Sequence, residues 1–341
     1  VADESADWVF YNGAIYTVDA TRSWAEAVAV RDGHIVAVGT DTEIRRFIGE
    51  RTEVTDLDGQ MMLPGLHDSH THLLIGILTD EDCNVRYKET MADFRAALTE
   101  CQGLEGYGPE GWIIGGGWFE WMWPESNPNK SMLADFFPDQ PAYLVSRLGH
   151  SALVNSRGLE LAGITSNTED PYDGIIMRDP DTGEPSGTLR DGAMMIVQDV
   201  LPERTMSQEV KSVRAAIDFA HSYGITALVE PGLDAQMMQP VLEIADAGDF
   251  DLRAKVSLST IAWHPGVFDE SVLEFLAGRD QFRRENIDVD SVKMYMDGVT
   301  ESGTGALLEP YLEGDFGLGP RFYSQEEIDY FMTEFEKMGL Q

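Results

Sequence analysis

The sequence has few lysines, few cysteines and no long apolar run. Six of its 24 basic residues are lysines, and 60 acidic residues give a formal net charge of −36. A surface this acidic repels phosphate backbones and anionic lipids, which excludes nucleic acid as a partner. No stretch reaches the roughly 18 apolar residues of a membrane-spanning helix, so the sequence predicts no membrane association through a span.

The cysteine content is too low for a disulfide framework. Cys83 and Cys101 are the two cysteines of the chain, and their spacing is not that of a zinc ribbon. We interpret them as free thiols, with a disulfide as the alternative if the protein is exported. The sequence leaves both a cytoplasmic and an exported (periplasmic) location open.

The length and the apolar content are those of a globular protein. With 341 residues and 43% hydrophobic residues, the chain can form one large α/β barrel or two ordinary domains. Residues 1–60 alternate apolar and polar positions and break at Asn-Gly and Asp-Gly, which predicts short antiparallel hairpins. This region is too small to be stable alone, so we expect it to pack against a larger domain.

From residue 206 onward the pattern changes to helices alternating with short apolar strands. Such alternation is typical of βα units and a parallel sheet. The segment MMLPGLHDSH supplies the first strand of this sheet, which places the larger domain at residues 61–341. Residues of about 80–205 are irregular, and we interpret them as an insertion built around the strand PAYLVSR.

The segment LPGLHDSHTHLL contains three histidines in six positions. Side chains alternate along a strand, so His70 and His72 share a face while His67 points the other way. Two imidazoles at the C-terminal end of a barrel strand can bind one metal ion, and Asp68 can orient one of them. The alternative is that these are ordinary polar residues of a loop.

Several further motifs, in the same order along the chain, make the sequence recognisable. They are the N-terminal hairpins, PGLHDSHTH, GGGWFEWMWP, SRLGHSALVNSRGLELAGI, TGEPSGTL and VKMYMDG. Together they resemble the amidohydrolase superfamily, within it the metal-dependent hydrolases that include N-substituted formamide deformylase and the YtcJ-like proteins.

This resemblance implies a (β/α)8 TIM-type barrel flanked by a small β-sandwich. It also implies one or two divalent ions, usually zinc, at the mouth of the barrel. His70 and His72 match the paired histidines of the family. Lys293 matches a lysine that CO2 carboxylates, so that it can bridge two metal ions.

Lys293 also stands out without the family, because it lies inside an apolar strand, SVKMYMDG. A buried lysine loses its proton readily, and the neutral amine is the form that reacts with CO2. The alternative is an ion pair with Asp297, which shares its face, or with another carboxylate. Glu230, at the end of ITALVEPG, is a rival metal ligand or a supporting residue.

Four residues are candidates for substrate binding: Trp118, Trp121, His150 and Asp297. The tryptophans can line an apolar pocket or form the core of the insertion. His150 matches a family motif near the substrate and can equally be a packing residue. His264 follows another strand and is a weaker candidate, whereas His34 and His221 are expected to be structural.

The chain lacks part of what the resemblance requires. We find about five barrel strands instead of eight, and no histidine follows His264. We therefore expect an N-terminal part of a longer polypeptide, whose remainder is required and whose catalytic aspartate lies beyond Gln341.

The predicted function is hydrolysis of a C–N bond, amide-like and not peptide, in a small molecule by metal-activated water. The alternatives are a lactone, carbamate or ester hydrolase with the same metal, and a truncated barrel that serves as a non-catalytic scaffold. A homo-oligomer is compatible with the sequence.

Overall fold

The computed structural model describes residues 5–124, 127–171, 174–259, 270–300, 303–312 and 316–341. His264 lies outside these described residues. The chain divides into two compact units, of which the first ends at His67 and the second begins at Asp68.

The first unit consists of short strands in two sheets. Its elements are β1 (Trp8–Tyr11), β2 (Ala14–Tyr16), β3 (Trp24–Ala25), β4 (Ala27–Arg31), β5 (His34–Gly39), α1 (Asp41–Ile44), β6 (Glu53–Asp56) and β7 (Met61–Met62). One sheet has the strand order β5-β4-β1-β6, and the other has the order β3-β2-β7. Met61 pairs with Ala14, so this unit continues beyond residue 60, where the sequence had placed its end.

One of the two predicted hairpins is present. Strands β4 and β5 are antiparallel, and Arg31 pairs with His34 across the loop of Asp32 and Gly33. Both loop residues have positive φ angles, 51° and 72°, as a two-residue turn of this hand requires. The Asn-Gly hairpin prediction is wrong, because β1 and β2, on either side of Asn12 and Gly13, belong to different sheets.

The second unit contains two larger sheets and most of the helices. Its strands are β8 (Leu66–Asp68), which begins just before the boundary, β9 (Cys83–Asn84), β10 (Ile113–Trp118), β11 (Ala142–Ser146), β12 (Ser151–Val154), β13 (Gly174–Arg178), β14 (Pro185–Asp191), β15 (Ile225–Leu233), β16 (Arg253–Ser259) and β17 (Ile287–Lys293). Its helices are α2 (Met91–Cys101), α3 (Ser131–Ala134), α4 (Ser156–Leu161), α5 (Met195–Gln198), α6 (Met206–Ser222), α7 (Met238–Asp246), α8 (Glu270–Ala277) and α9 (Gln325–Lys337). In the described part of the chain, no helix is both long and apolar enough to traverse a bilayer.

The predicted alternation of helices and strands is confirmed from α6 to α9. Strand β16 pairs in parallel with β15 on one side and with β17 on the other. Strand β8 lies on the outer side of β15, which gives the order β17-β16-β15-β8. The core between this sheet and the helices includes Val213, Val241, Val256 and Phe331, all of them buried.

This sheet has four strands where the sequence suggested about five. The difference is PAYLVSR, because its strand β11 pairs with β10 and β12 in another sheet. At the outer edge of β17, the backbone N–H of Gln341 donates to the carbonyl of Asp290 (3.0 Å), and the N–H of Val292 donates to the carbonyl of Gln341 (2.9 Å).

The predicted insertion contains a six-stranded sheet of order β13-β14-β12-β11-β10-β9. Strands β9, β10 and β11 run parallel, whereas β12, β14 and β13 are joined by antiparallel pairing. Because successive side chains of a strand face opposite ways, each face of this sheet has its own core. Leu144 and Leu153 belong to one core, and Tyr143 and Val154 belong to the other.

The prediction of free thiols is wrong. Cys83 in β9 and Cys101 at the end of α2 form a disulfide, with their Cα atoms 5.2 Å apart. Packing brings strand β9 and the end of helix α2 side by side, and the spacing of the cysteines alone does not reveal this. The bond fastens α2 to the outermost strand of the insertion sheet.

Candidate metal centre

The paired histidines lie just beyond the first strand of the parallel sheet. Strand β8 ends at Asp68, so His70 and His72 follow the strand and are not part of it, as the alternation argument had assumed. The N–H of Thr71, between them, donates to the carbonyl of Val229 in β15 (3.0 Å). The two rings meet edge to face with their centroids 5.5 Å apart, so the imidazoles are neighbours at the end of β8.

Asp68 fixes the backbone of this turn. Its Oδ1 atom accepts a hydrogen bond from the backbone N–H of His70 at 3.0 Å. The sequence suggested that Asp68 orients an imidazole; the bond found is to the main chain instead. Such a bond from an aspartate to the N–H two residues on stabilises a tight turn after a strand.

Glu230 is the residue that supports His72. It lies in β15 and is fully buried. Its Oε1 atom is 3.1 Å from Nδ1 of His72, and its Oε2 atom accepts from the backbone N–H of Leu74 at 2.6 Å. Because a carboxylate only accepts, the hydrogen of His72 is on Nδ1, which leaves the Nε2 lone pair for a metal ion. Glu230 therefore holds the imidazole of His72 through Nδ1 and leaves Nε2 available.

Lys293 is the last residue of β17, and its Cγ atom lies 3.8 Å from where a Cβ atom of Gly232, in β15, would be. Its Nζ atom is 4.8 Å from the ring centroid of Tyr295. Burial raises the pKa of Tyr295, and the negative charge of Glu230 raises it further. Gly232, in β15, has a φ of 125°, and a Cβ atom there would lie 2.6 Å from the Tyr295 hydroxyl. A glycine is thus needed where β15 and Tyr295 approach each other.

These residues fit a divalent metal ion of the zinc type. Two adjacent imidazoles are the donors that zinc favours, and one of them has the buried carboxylate partner that fixes its tautomer. In the described ranges, no three His, Cys, Asp or Glu side chains are grouped closely enough to hold an ion. The histidine pair alone would leave an ion short of donors, and an oxygen donor at Lys293 would add to it.

Asp297 fastens the segment that follows β17. Its Oδ2 atom accepts a hydrogen bond from the backbone N–H of Ala306 at 2.8 Å. The sequence suggested Asp297 for substrate binding or for an ion pair with Lys293. The hydrogen bond that the structure describes joins it to the main chain of Ala306. Asp297 shapes the loop after Lys293.

The two candidate tryptophans have different environments. Trp118 is fully buried, and its Nε1 donates to the carbonyl of Leu144 at 2.8 Å. Of the two alternatives that the sequence left open for Trp118, a pocket wall or the insertion core, its burial supports the core. Trp121 is 64% exposed and lies 5.3 Å from Phe119, ring to ring.

His150 forms a pair with an aspartate that the sequence did not indicate. Its Nδ1 atom is 2.6 Å from Oδ1 of Asp191, which is almost completely buried. The second carboxylate oxygen, Oδ2, is buried and has no hydrogen-bond partner among the described residues. Asp191 also has a φ of 44° and a ψ of −124°, an uncommon backbone conformation for a residue with a side chain.

Residues missed from the sequence include Asp191, Arg86 and Arg147. Asp191 ends β14 and Arg147 follows β11, so both lie at strand ends. The signal available in the sequence was the position of a polar residue at the end of a strand, the same signal that indicated His70 and His72. The sequence did not pair these strands, because β11, β12 and β14 belong to a mixed sheet with no regular repeat.

Comparison with known proteins gives a consistent result. The amidohydrolase family matches residues 53–341 of the chain. Over 98% of the chain, it is 30% identical to protein LONG AFTER FAR-RED 3 of Arabidopsis thaliana and 27% identical to the YtcJ amidohydrolase of Bacillus subtilis. It is also 29% identical, over 65% of its length, to N-substituted formamide deformylase of Arthrobacter pascens.

A solved structure has a similar fold. An uncharacterized metal-dependent hydrolase from Pyrococcus furiosus superposes on 98% of the chain with a TM-score of 0.66 at 20% identity. The chain spans 66% of that structure. It spans 58%, 62% and 42% of the three relatives named above, in the same order. The family match covers the larger part of the sequence and includes the histidine pair, Glu230 and Lys293, and on that ground the chain belongs to the amidohydrolase family.

Proposed function

We propose that the protein containing this chain is a metal-dependent hydrolase that cleaves a C–N bond, amide-like and not peptide, in a small molecule. The observation that carries the proposal is the contact between His72 and the buried carboxylate of Glu230 (3.1 Å), beside the ring of His70. A tautomer fixed in this way is typical of a metal-binding histidine. The name of one relative, N-substituted formamide deformylase, supports cleavage of a C–N bond.

In this proposal His70, His72 and a carboxylated Lys293 hold one or two divalent ions, of which zinc suits the nitrogen donors best. When bound, such an ion generates a nucleophile from water near neutral pH and polarises a carbonyl oxygen. Lys293 would contribute from the end of β17, which strand β16 separates from Glu230 in β15. The end of a barrel strand is where active-site groups of this fold are placed.

The protein residues around the ligands have supporting roles. Glu230 holds the proton of His72 at Nδ1, and the N–H of Leu74 holds Glu230 in turn (2.6 Å). Asp68 sets the backbone at His70 (3.0 Å). These contacts fix the imidazole of His72 and the backbone of His70 before a metal ion arrives, so less conformational freedom is lost when it binds.

The proposal is tested by measuring the metal content of the protein and its activity on a panel of substrates. The purified protein should contain zinc or another divalent ion by elemental analysis, and a chelator should abolish hydrolysis of N-substituted formamides and other small amides. Activity should return when zinc is added. A stable protein that binds no divalent ion would contradict the proposal and favour a scaffold.

The panel must also contain lactones, carbamates and simple esters. The same metal chemistry attacks all these carbonyl groups, so metal content alone does not distinguish them. We expect the highest kcat/KM with amides. A preference for lactones, carbamates or esters would retain the metal centre and overturn the assignment of the C–N bond.

A further inference from the structure

Several strands of the six-stranded insertion sheet begin or end along one edge of that sheet. The parallel strands β9, β10 and β11 all end at this edge. Strand β12 starts there and β14 ends there, because each is antiparallel to its neighbour. The residues just beyond these ends therefore lie along one edge, as in the sheets whose strand ends bind ligands. They include Arg86, Phe119, Arg147 and His150.

Two arginines at this edge have no acidic partner. In the described part of the chain, neither Arg86 nor Arg147 forms an ion pair, although the protein has 60 acidic residues. Burial lowers the pKa of Arg86, and the positive charge of nearby Arg147 contributes to the same effect. The guanidinium of Arg147 lies over the ring of Tyr87, the residue that follows Arg86, so two like charges are neighbours at this edge. A bound anion would relieve their repulsion.

Two other arginines of the second unit differ from Arg86 and Arg147, because they do have acidic partners. Arg95 and Arg204 also lie over aromatic rings, those of Phe136 and Tyr107. Each of these two forms an ion pair, Arg95 with Asp135 and Arg204 with Asp82. Asp82, whose charge also acts on Arg86, is therefore already engaged elsewhere.

Aromatic rings surround the second arginine. The guanidinium of Arg147 lies 4.9 Å from the ring centroid of Tyr87 and 5.4 Å from that of Phe119. Phe119 contacts Trp121, and both Tyr87 and Trp121 are about two-thirds exposed, at 65% and 64%. The rings hold the cation in place and leave apolar surface next to it.

The backbone is shaped for this arrangement. Gly117, in β10, has a φ of 100°, and a Cβ atom there would collide with the side chain of Arg86. Tyr87 has a φ of 59°, which is uncommon for an aromatic residue. The close packing of Arg86 on Gly117 fixes the guanidinium stem at the edge.

We propose that this edge binds the carboxylate group of a substrate that also carries an aromatic or apolar group. Arg147 and Arg86 take the carboxylate, and Trp121, Phe119 and Tyr87 contact the apolar part. Guanidinium groups suit a carboxylate because their N–H groups match its two oxygens. The inference rests on the proposed function only in calling the ligand a substrate.

The loop after β17 connects this edge with the candidate metal centre. It starts beside Lys293 and is fastened by the bond from Ala306 to Asp297. Further along, the ring of Phe316 lies 5.1 Å below the guanidinium of Arg190, which is the residue before Asp191 in β14. A described part of the segment that follows β17 thus contacts β14 beside Asp191.

The test is direct binding to the purified protein treated with a chelator, so that no metal ion contributes to carboxylate binding. Three probes separate the parts of the proposal: 3-phenylpropionate, its uncharged amide, and propionate. We expect the aromatic acid to bind about tenfold or more tightly than either other probe, as measured by calorimetry and by the change in tryptophan fluorescence that Trp121→Leu removes. Equal binding of the acid and the amide would overturn the proposal.

Single substitutions then show which side chains bind the carboxylate and which bind the aromatic group. Arg147→Gln should reduce binding of 3-phenylpropionate to the level of the amide, and Trp121→Leu should reduce it to the level of propionate. Arg46→Gln is the matched control, because Arg46 also lies over a ring, that of Phe47 at 4.8 Å, in the first unit. If Arg147→Gln binds the acid like the unaltered protein, the proposal is wrong.

Arg86 is tested by a conservative change, since its stem packs closely and removal could unfold the edge. Arg86→Lys should retain the preference for the acid over the amide, with weaker binding than arginine gives. If Arg86→Lys folds and shows no weaker binding, Arg86 does not contact the ligand. If the zinc-loaded protein hydrolyses no substrate of the panel but the chelated protein still binds the acid, the proposed function is wrong and this site stands.

Discussion

The Nδ1 atom of His72 lies 3.1 Å from the Oε1 atom of Glu230, although 158 residues separate them along the chain. The histidine side chain is 45% exposed and the carboxylate is fully buried. The contact therefore joins a half-exposed imidazole to a buried support inside the sheet. It explains how one imidazole of the pair is held in a defined tautomer.

The first prediction concerns the histidine pair. His70→Ala and His72→Ala should each lose bound zinc, because each substitution removes one of the few donor atoms that would hold the ion. Elemental analysis of the purified variants measures this. His34→Ala is the control, since His34 lies in a hairpin of the first unit and bonds to the carbonyl of Asp32. Stoichiometric zinc in either of the first two variants would refute their assignment as ligands.

The second prediction concerns Glu230 as a support. Glu230→Gln should keep the fold and weaken zinc binding by about 10- to 100-fold, the usual effect of changing a partner of a metal-binding histidine. Glu230→Ala should in addition destabilise the protein by about 1–3 kcal/mol, because it leaves the buried N–H of Leu74 without its partner. Zinc titration and thermal unfolding separate the two effects. Unchanged zinc affinity in Glu230→Gln would count against the supporting role.

The third prediction concerns the chemistry of Lys293. Lys293→Ala should lose hydrolytic activity, and short carboxylic acids added to the solution should restore part of it, because they replace the missing anionic oxygen donor. Lys255→Ala is a suitable control, since Lys255 lies in β16 and bonds to the side chain of Gln341. Full activity of Lys293→Ala without any added acid would exclude a carboxylated ligand.

The fourth prediction concerns the disulfide. Cys83→Ser and Cys101→Ser should each lower the free energy of unfolding by about 3 kcal/mol, because the bond closes a loop between residues 18 apart. Denaturant unfolding with and without a reductant measures this. The reductant should destabilise the unaltered protein and leave both variants unaffected. An unaltered protein insensitive to the reductant would indicate free thiols.

The fifth prediction concerns two buried tyrosines. Burial raises the pKa of Tyr143, and burial followed by the charge of Asp82 raises that of Tyr107. Above a pH of about 10 these phenols stay protonated in the folded protein and ionise in the unfolded one. The unfolded state then binds fewer protons, so stability should fall as the pH rises from about 10.

The absorbance of phenolate measures this titration. Fewer than the 11 tyrosines should ionise before unfolding, and Tyr107→Phe and Tyr143→Phe should each remove one late-titrating phenol. If all the tyrosines of the folded protein ionise together near a pH of 10, the two phenols are not shielded.

Local patterns in the sequence predicted much of the second unit. The alternation of helices and strands from α6 to α9 has a clear period, and the strand ends carrying Glu230 and Lys293 followed from it. The turn at Asp32 and Gly33 was also predictable, because few residues tolerate its two positive φ angles.

Features that depend on distant contacts were not predictable. The disulfide and the pair of His150 with Asp191 need the strand order of the insertion, which no local pattern encodes. The same holds for the burial of Trp118: its sequence neighbours Phe119 and Trp121 look similar, yet only the completed sheet decides which ring is covered. The role of Glu230 likewise depends on β8 lying beside β15.

The pairing of β8 with β15 also has a kinetic consequence. These neighbouring strands are separated by the whole insertion, and closing so long a loop in an unfolded chain is slow and entropically unfavourable. The insertion has its own cores on both faces of its sheet, so it can collapse first and bring its two ends together. We therefore expect refolding in two phases, with the pairing of His72 and Glu230 in the slower one.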